Sequence, residues 1–164
     1  MLETVQATIA DHRLIAPGDQ VVAAVSGGAD SVALARVLTA LRGPLGFSLS
    51  LVHVHHGIRA GGADADEAFV GRLADTLGLE LDVARVQVPA LADADGLSLE
   101  MAAREARLGV YSAVVEARSA AVLATGHTRN DRIETVLLRL VRGSGAAGLA
   151  GIRPVSAVRG LTLI

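Results

Sequence analysis

"VVAAVSGGADSVALARVL", residues 21–38, decides how this chain is read. An apolar run of strand length, 21–25, breaks into Ser26, Gly27 and Gly28. It then restarts with helical spacing at Val32, Leu34, Ala35 and Leu38. A continuous apolar run suits a strand buried on both faces. Paired glycines let the backbone turn sharply and present N–H groups with no Cβ in the way. The helix from about Ala29 points its positive end into the same space, and Ser26 and Ser31 add hydroxyls. Such a turn is a phosphate cradle built without lysine. Asp30 is its odd member, because a carboxylate repels phosphate. It makes sense where Mg²⁺ bridges the two. The competing reading is an ordinary strand–helix turn in which Asp30 is a first-turn acid favoured by the helix dipole.

The pattern continues on both sides. Residues 2–13 read as an amphipathic helix, 29–41 as the helix after the glycine turn, with Gly43-Pro44 breaking it. Residues 47–54 read as a strand and 64–78 as a helix, with Asp64 and Glu67 spaced as a capping box and Gly78 as its stop. Residues 80–86 alternate as a strand. Ser98 caps a long helix to about Arg118. Residues 120–125 form a buried strand, 131–142 a helix, 143–154 a glycine-rich stretch, and 161–164 the start of another strand. Alternating strand and helix demands parallel strands with right-handed crossovers, hence one doubly wound α/β domain. Because the sequence stops within a strand pattern, the domain is expected to be truncated at its C-terminal end.

Composition excludes several chemistries. There is no cysteine, so disulfides, thiolate metal sites and cysteine nucleophiles are ruled out within these 164 residues. All fifteen basic residues are Arg, so the lysine of a Walker P-loop is missing. No apolar run approaches the roughly 18 residues that cross a membrane, and no basic leader opens the chain, which suits the cytoplasm. The net charge of −2 is uneven. Residues 1–128 hold nine Arg against fifteen acids, a net of −6, and residues 129–164 six Arg against two, a net of +4. That is either a solvated face or a basic surface for a polyanion such as RNA.

Two further groups stand out. Glu100, Arg104, Arg107 and Tyr111 fall at offsets of a single helical stripe beside an apolar one of Leu99, Ala103, Ala106, Val110 and Ala113. The stripe is either a solvated edge or an arginine pair turned to phosphate and oriented by Glu100. His53, His55 and His56 invite a zinc reading, which the absence of thiolates disfavours. In "GHTRNDRIET", 126–135, Gly126 follows a buried strand, so its loop is expected on the same sheet edge as the glycine turn. Thr128 and Asp131 have capping-box spacing, which gives Asp131 a purely structural alternative.

Ser26-Gly27-Gly28-Ala29-Asp30-Ser31 after an apolar strand resembles the pyrophosphate loop of the N-type ATP pyrophosphatases, the PP-loop family. "HVHHGIR" (53–59), "SLEMAAREARLGVY" (98–111) and "GHTRNDRIETVLLRLVRGSGAAGLAGIRP" (126–154) are similar to the N-terminal domain of tRNA(Ile)-lysidine synthetases. Leu108 and Arg129-Asn130 depart from that pattern. The resemblance implies an adenine-nucleotide α-hydrolase-like (Rossmann-like) fold. It implies that residues 26–31 hold the pyrophosphate of ATP, that the backbone of His53 and Val54 holds adenine, and that Gly126 borders the nucleotide. It implies Mg²⁺ on Asp30 and Asp131, with His127, Glu134, Arg104 and Arg107 around the reaction. The implied partners are ATP, free L-lysine and the anticodon loop of an isoleucine tRNA, with tRNA-binding domains following the domain seen here. No membrane partner is implied, and a homodimer is held as an expectation. Two rivals are kept: a 2-thiocytidine-type tRNA enzyme, disfavoured by the missing cysteines, and a non-catalytic ATP-binding domain of the universal-stress type, which has no need of residues 126–135.

Overall fold

The computed structural model describes residues 2–57, 62–126, 155–158 and 160–164. Its hub is strand β1 (Gln20–Ala24), the apolar run before the glycine turn. Val21, Ala23 and Val25 enter one core with helices α1 (Leu2–His12), α2 (Ala29–Leu45) and α3 (Gly62–Leu77). Val22 and Ala24 face the other way, onto Val110, Tyr111, Val114 and Val115 of α5 (Leu99–Ala117). With helices on both faces, β1 has no solvated side, so its sequence is apolar throughout rather than alternating.

β1 pairs in parallel with β2 (Ser48–His55) on one side and with β4 (Val122–Ala124) on the other. β3 (Leu81–Arg85) extends the sheet beyond β2, and β6 (Leu161–Leu163) lies parallel to β4. The order is β3-β2-β1-β4-β6-β5, where β5 (Ser156–Val158) is an antiparallel edge strand hairpinned to β6. The doubly wound architecture is as expected, apart from that antiparallel edge. The chain first winds outward from β1 and then crosses back to β4. The strand order therefore reverses between β1 and β4, which is where such sheets open a crevice at their carboxyl ends.

Four local expectations are corrected. First, α2 does not stop before Gly43-Pro44 but runs to Leu45. Pro44 lies in the last turn, where its missing N–H removes a single helical bond. Gly46, at φ 72°, then closes the helix through its N–H to the Arg42 and Gly43 carbonyls. Second, α3 starts at Gly62, so Asp64 and Glu67 form no capping box and instead reach neighbouring strands. Third, a short helix α4 (Val88–Asp95) precedes α5 and buries Val88 and Ala92 against Ala102. Fourth, the expected apolar stripe of α5 holds only in its middle: Ala103, Ala106 and Val110 pack as expected, but Leu99 is 49% exposed and Ala113 exposed, whereas Ala102 is buried and Tyr111 packs into the core. The Ser98 cap forms as expected, its hydroxyl accepting from the Met101 N–H at 3.2 Å.

Candidate active site

The turn after β1 is held by its own serines. Ser31 Oγ donates to the Gly28 carbonyl at 2.9 Å and accepts from the Ser26 N–H at 3.2 Å. Ser26 Oγ lies 3.3 Å from Ser31 Oγ and accepts weakly from the Gly28 N–H at 3.4 Å. Ser31 is buried, and its single proton braces the loop in this conformation. Gly27 adopts φ 95°, a conformation L side chains rarely take. Gly28 is the N-cap of α2 and, being glycine, supplies no capping side chain. The first N–H groups of α2 thus face the turn without a side-chain acceptor, the arrangement that favours an anion. Asp30 stands exposed in that first turn with no partner among the described residues.

Gly126 lies directly against this turn. A Cβ placed on it would sit 3.1 Å from the Asp30 carbonyl carbon and from the Ser31 Cα and N. The loop after β4 therefore meets the start of α2 backbone to backbone, at the point where the sheet order reverses. A side chain there would be tighter than most real contacts, so one of the two loops would have to give by a few tenths of an ångström.

β2 supplies the next wall. Its pairing with β1 ends at Ala24–Val52, followed by one more bond from the Val25 N–H to the Val52 carbonyl. It continues against β3 to His55, so the main chain of His53 and Val54 outruns β1. The three histidines diverge. His53 is buried, and its Nδ1 donates to the Val25 carbonyl at 2.7 Å, bracing the base of the glycine turn. His55 accepts from the Gly57 N–H at Nδ1, which puts its proton on Nε2, 3.1 Å from Asp64 of α3. His56 Nδ1 is buried with no partner among the described residues. Burial first, then the positive charge of Arg107 and the other two histidines, hold the His56 pKa below its usual value. The imidazole therefore stays neutral near pH 7. Among the described residues no group of three His, Asp or Glu side chains is placed to hold a metal ion.

Arg107 of α5 is exposed and close enough to act electrostatically on both His56 and Tyr111. Arg104 is exposed one turn earlier on the same helix. The structure thus gathers 26–31, 53–54, 126 and Arg107 around the carboxyl edge of the sheet. His127, Asp131 and Glu134, together with most of the basic 129–164 segment, lie outside the described residues. Asp66 escaped the reading of the sequence, and His56 was singled out only as a zinc candidate. Asp66, on α3, would lie 3.4 Å through its Oδ1 from a Cβ on Gly27. In sequence it is one more acid on a solvated helix. His56 gave no sign that its Nδ1 would be left without a partner.

A separate cleft lies elsewhere. It encloses about 540 Å³ at the amino-terminal edge of the sheet, lined among others by Gln20, Ser48, Ser50, Arg42, Glu80 and Arg118. Parallel sheets bind ligands at the opposite end, and this cleft touches none of the motif residues.

A profile of the PP-loop domain matches residues 1–164, the whole chain. The chain belongs to the PP-loop family. Among curated proteins, this PP-loop domain is 45% identical to the tRNA(Ile)-lysidine synthase of Symbiobacterium thermophilum over 164 residues, which is 100% of this chain and 34% of that one. It is also 45% identical to the tRNA(Ile)-lysidine synthase of Dehalococcoides mccartyi over 155 residues, 94% of this chain and 33% of that one. The chain thus spans about a third of the length of these relatives. Among solved structures it resembles the U34-tRNA thiolase NcsA from Methanococcus maripaludis with its [4Fe-4S] cluster. The TM-score is 0.73 at 19% identity, covering 87% of this chain and 50% of that one, a likeness of fold.

Proposed function

We propose that this PP-loop domain is the ATP-using part of a tRNA(Ile)-lysidine synthase, working in the cytoplasm. The observation that carries the reading is 45% identity to such an enzyme across all 164 residues. The geometry supports it, with an uncapped helix start, two glycines and an unpartnered acid at the switch point of the sheet. The missing cysteines tell against sulfur transfer through thiolates of this domain.

The reaction runs in two displacements. The 2-carbonyl oxygen of the wobble cytidine attacks the α-phosphorus of ATP, the α–β bridging P–O bond breaks, and pyrophosphate leaves. The neutral ε-amine of lysine then attacks ring carbon 2, and the C–O bond breaks to release AMP. The first displacement asks the protein for in-line placement and charge stabilisation rather than covalent chemistry. The N–H groups of 26–31 take the departing pyrophosphate, and the main chain of His53 and Val54 borders the adenine. Arg104 and Arg107 bring fixed positive charge from α5 to the phosphates. The family resemblance assigns His127 and Glu134 to the same reaction. The donor set fits Mg²⁺, a hard cation that takes carboxylate oxygens, because Asp30 is exposed and unpartnered at the cradle. Asp30 and Asp131 would hold it, where it would offset the charge of the triphosphate.

The test follows pyrophosphate release and labelled lysine incorporation in the full-length chain with unmodified isoleucine tRNA. Lysine-dependent labelling of the tRNA with equimolar pyrophosphate supports the reading. ATP cleavage without lysine incorporation, or incorporation of sulfur instead, overturns it. Nucleotide binding without turnover on any RNA moves the domain to the non-catalytic class.

A further inference from the structure

We propose that Asp66 makes the glycine cradle selective for metal-complexed over metal-free polyphosphate. The inference rests on the reading of that turn as a pyrophosphate site. α3 leaves the carboxyl edge just after β2, and three acids in its first two turns reach three different strand ends. Asp64 pairs with His55 of β2 at 3.1 Å. Glu67 accepts two hydrogen bonds from Arg85 of β3, at 2.9 and 2.7 Å. Those contacts fix the helix against the sheet. Asp66 lies between them in sequence and makes no hydrogen bond or ion pair among the described residues. Its carboxylate rests on the glycine turn, with Oδ1 3.4 Å and Cβ and Cγ 3.6 Å from where a Gly27 Cβ would stand.

A free carboxylate seated on a phosphate loop cannot be neutral toward the ligand. It repels a bare polyphosphate at close range, where Coulomb energies are largest. Against a divalent complex the repulsion is offset, because the cation supplies the opposite charge that Asp66 otherwise lacks. The glycine at 27 serves the turn itself, since φ 95° strains an L side chain, while a Cβ there would meet the carboxylate only at ordinary van der Waals distance. Asp66 is exposed, so the effect is screened and grows as salt is lowered.

The measurement is the ratio of dissociation constants for inorganic pyrophosphate, and for α,β-methylene ATP, in EDTA and in Mg²⁺. It is made on the full-length chain as wild type, Asp66→Asn and Asp75→Asn. Asp75 is an exposed acid in the last turn of the same helix, remote from the cradle, and controls for net charge. In Asp66→Asn the ratio should fall about fivefold to tenfold, and the fall should shrink at high salt. Asp75→Asn should leave the ratio within about twofold. An unchanged ratio in Asp66→Asn, or an equal fall in Asp75→Asn, overturns the proposal while leaving the pyrophosphate site standing. If the wild type binds neither ligand under either condition, the pyrophosphate reading fails and takes this inference with it.

Discussion

The two ends of one sheet are built on opposite principles. At the amino-terminal edge a cleft of about 540 Å³ is lined by groups that mostly satisfy each other. Arg118 holds Asp82 through two hydrogen bonds, at 2.7 and 3.1 Å, and also holds Glu80. The Gln20 amide reaches the Ser50 hydroxyl at 3.3 Å. Of the charged groups there, only Arg42 has no partner among the described residues. At the carboxyl edge, among the described residues, polar groups stand open: the first N–H groups of α2, Asp30, Asp66 and the His56 Nδ1. Buried polar groups are normally paired, so the buried and open His56 Nδ1 stands out, whereas Asp30 and Asp66 are exposed and meet water. Among the described residues, unpartnered polarity rather than cavity size separates the end proposed to hold the nucleotide from the end that holds the domain together.

The sharpest way to break that contrast is Asp30→Asn. ATP cleavage should fall by about 100-fold or more, while thermal stability stays within about 0.5 kcal/mol, as for other exposed sites. Normal turnover by this variant would remove Asp30 from the reaction. Gly126→Ala comes next. Its new methyl would stand 3.1 Å from three backbone atoms of Asp30 and Ser31, none of which can rotate away. A loss of about 1–3 kcal/mol in chemical denaturation is expected, accompanied by weaker ATP binding because the start of α2 is displaced. If the variant keeps wild-type stability, the two loops do not meet as closely as described.

Much of the carboxyl edge was legible because its signals are local. An apolar run, two glycines and a helical period name a strand, a turn and a helix with no knowledge of the rest. What was missed depends on partners remote in sequence. Asp64 and Glu67 have capping-box spacing, yet His55 and Arg85 on adjacent strands take them instead. α4 has too few residues to show a period, and it exists because Val88 and Ala92 pack on Ala102. Pro44 reads as a breaker but falls where a helix was about to end anyway. The α5 stripe was legible at Ala103, Ala106 and Val110 but not at its ends, since the neighbouring elements decide which side of a helix is covered and Ala-rich helices offer little contrast. The loop at Gly126 does meet the glycine turn, and Asp66 was overlooked because nothing in its own neighbourhood sets it apart.

Arg118→Met sharpens the comparison from the other end. Arg118 ties the last turn of α5 to the start of β3 through two acids that would be left facing each other. Because Glu80 is largely exposed, the loss should be about 1–2 kcal/mol in denaturant titration. ATP cleavage per folded molecule should stay within about twofold of wild type. A selective loss of turnover with stability intact would make the amino-terminal cleft part of the reaction after all.

The smallest effect is expected at His56, and its direction follows from which state binds the proton. Burial, then Arg107 from α5 and His53 and His55 from β2, hold its pKa in the folded chain below the ordinary 6.5. Between that lowered value and 6.5 the unfolded chain carries more proton than the folded one. Stability therefore declines as the pH drops through this window and is fully present above it. Melting temperatures followed from about pH 7.5 to about pH 5.5 should show this decline. In His56→Gln, which keeps a polar side chain but cannot take up the proton, the curve should be flatter. The flattening belongs to His56 only if Arg107→Gln also reduces the slope, since part of the depression comes from that guanidinium. Parallel curves for wild type and His56→Gln would mean that the imidazole is as well hydrated when folded as when unfolded, and that its Nδ1 is open to water rather than to a ligand.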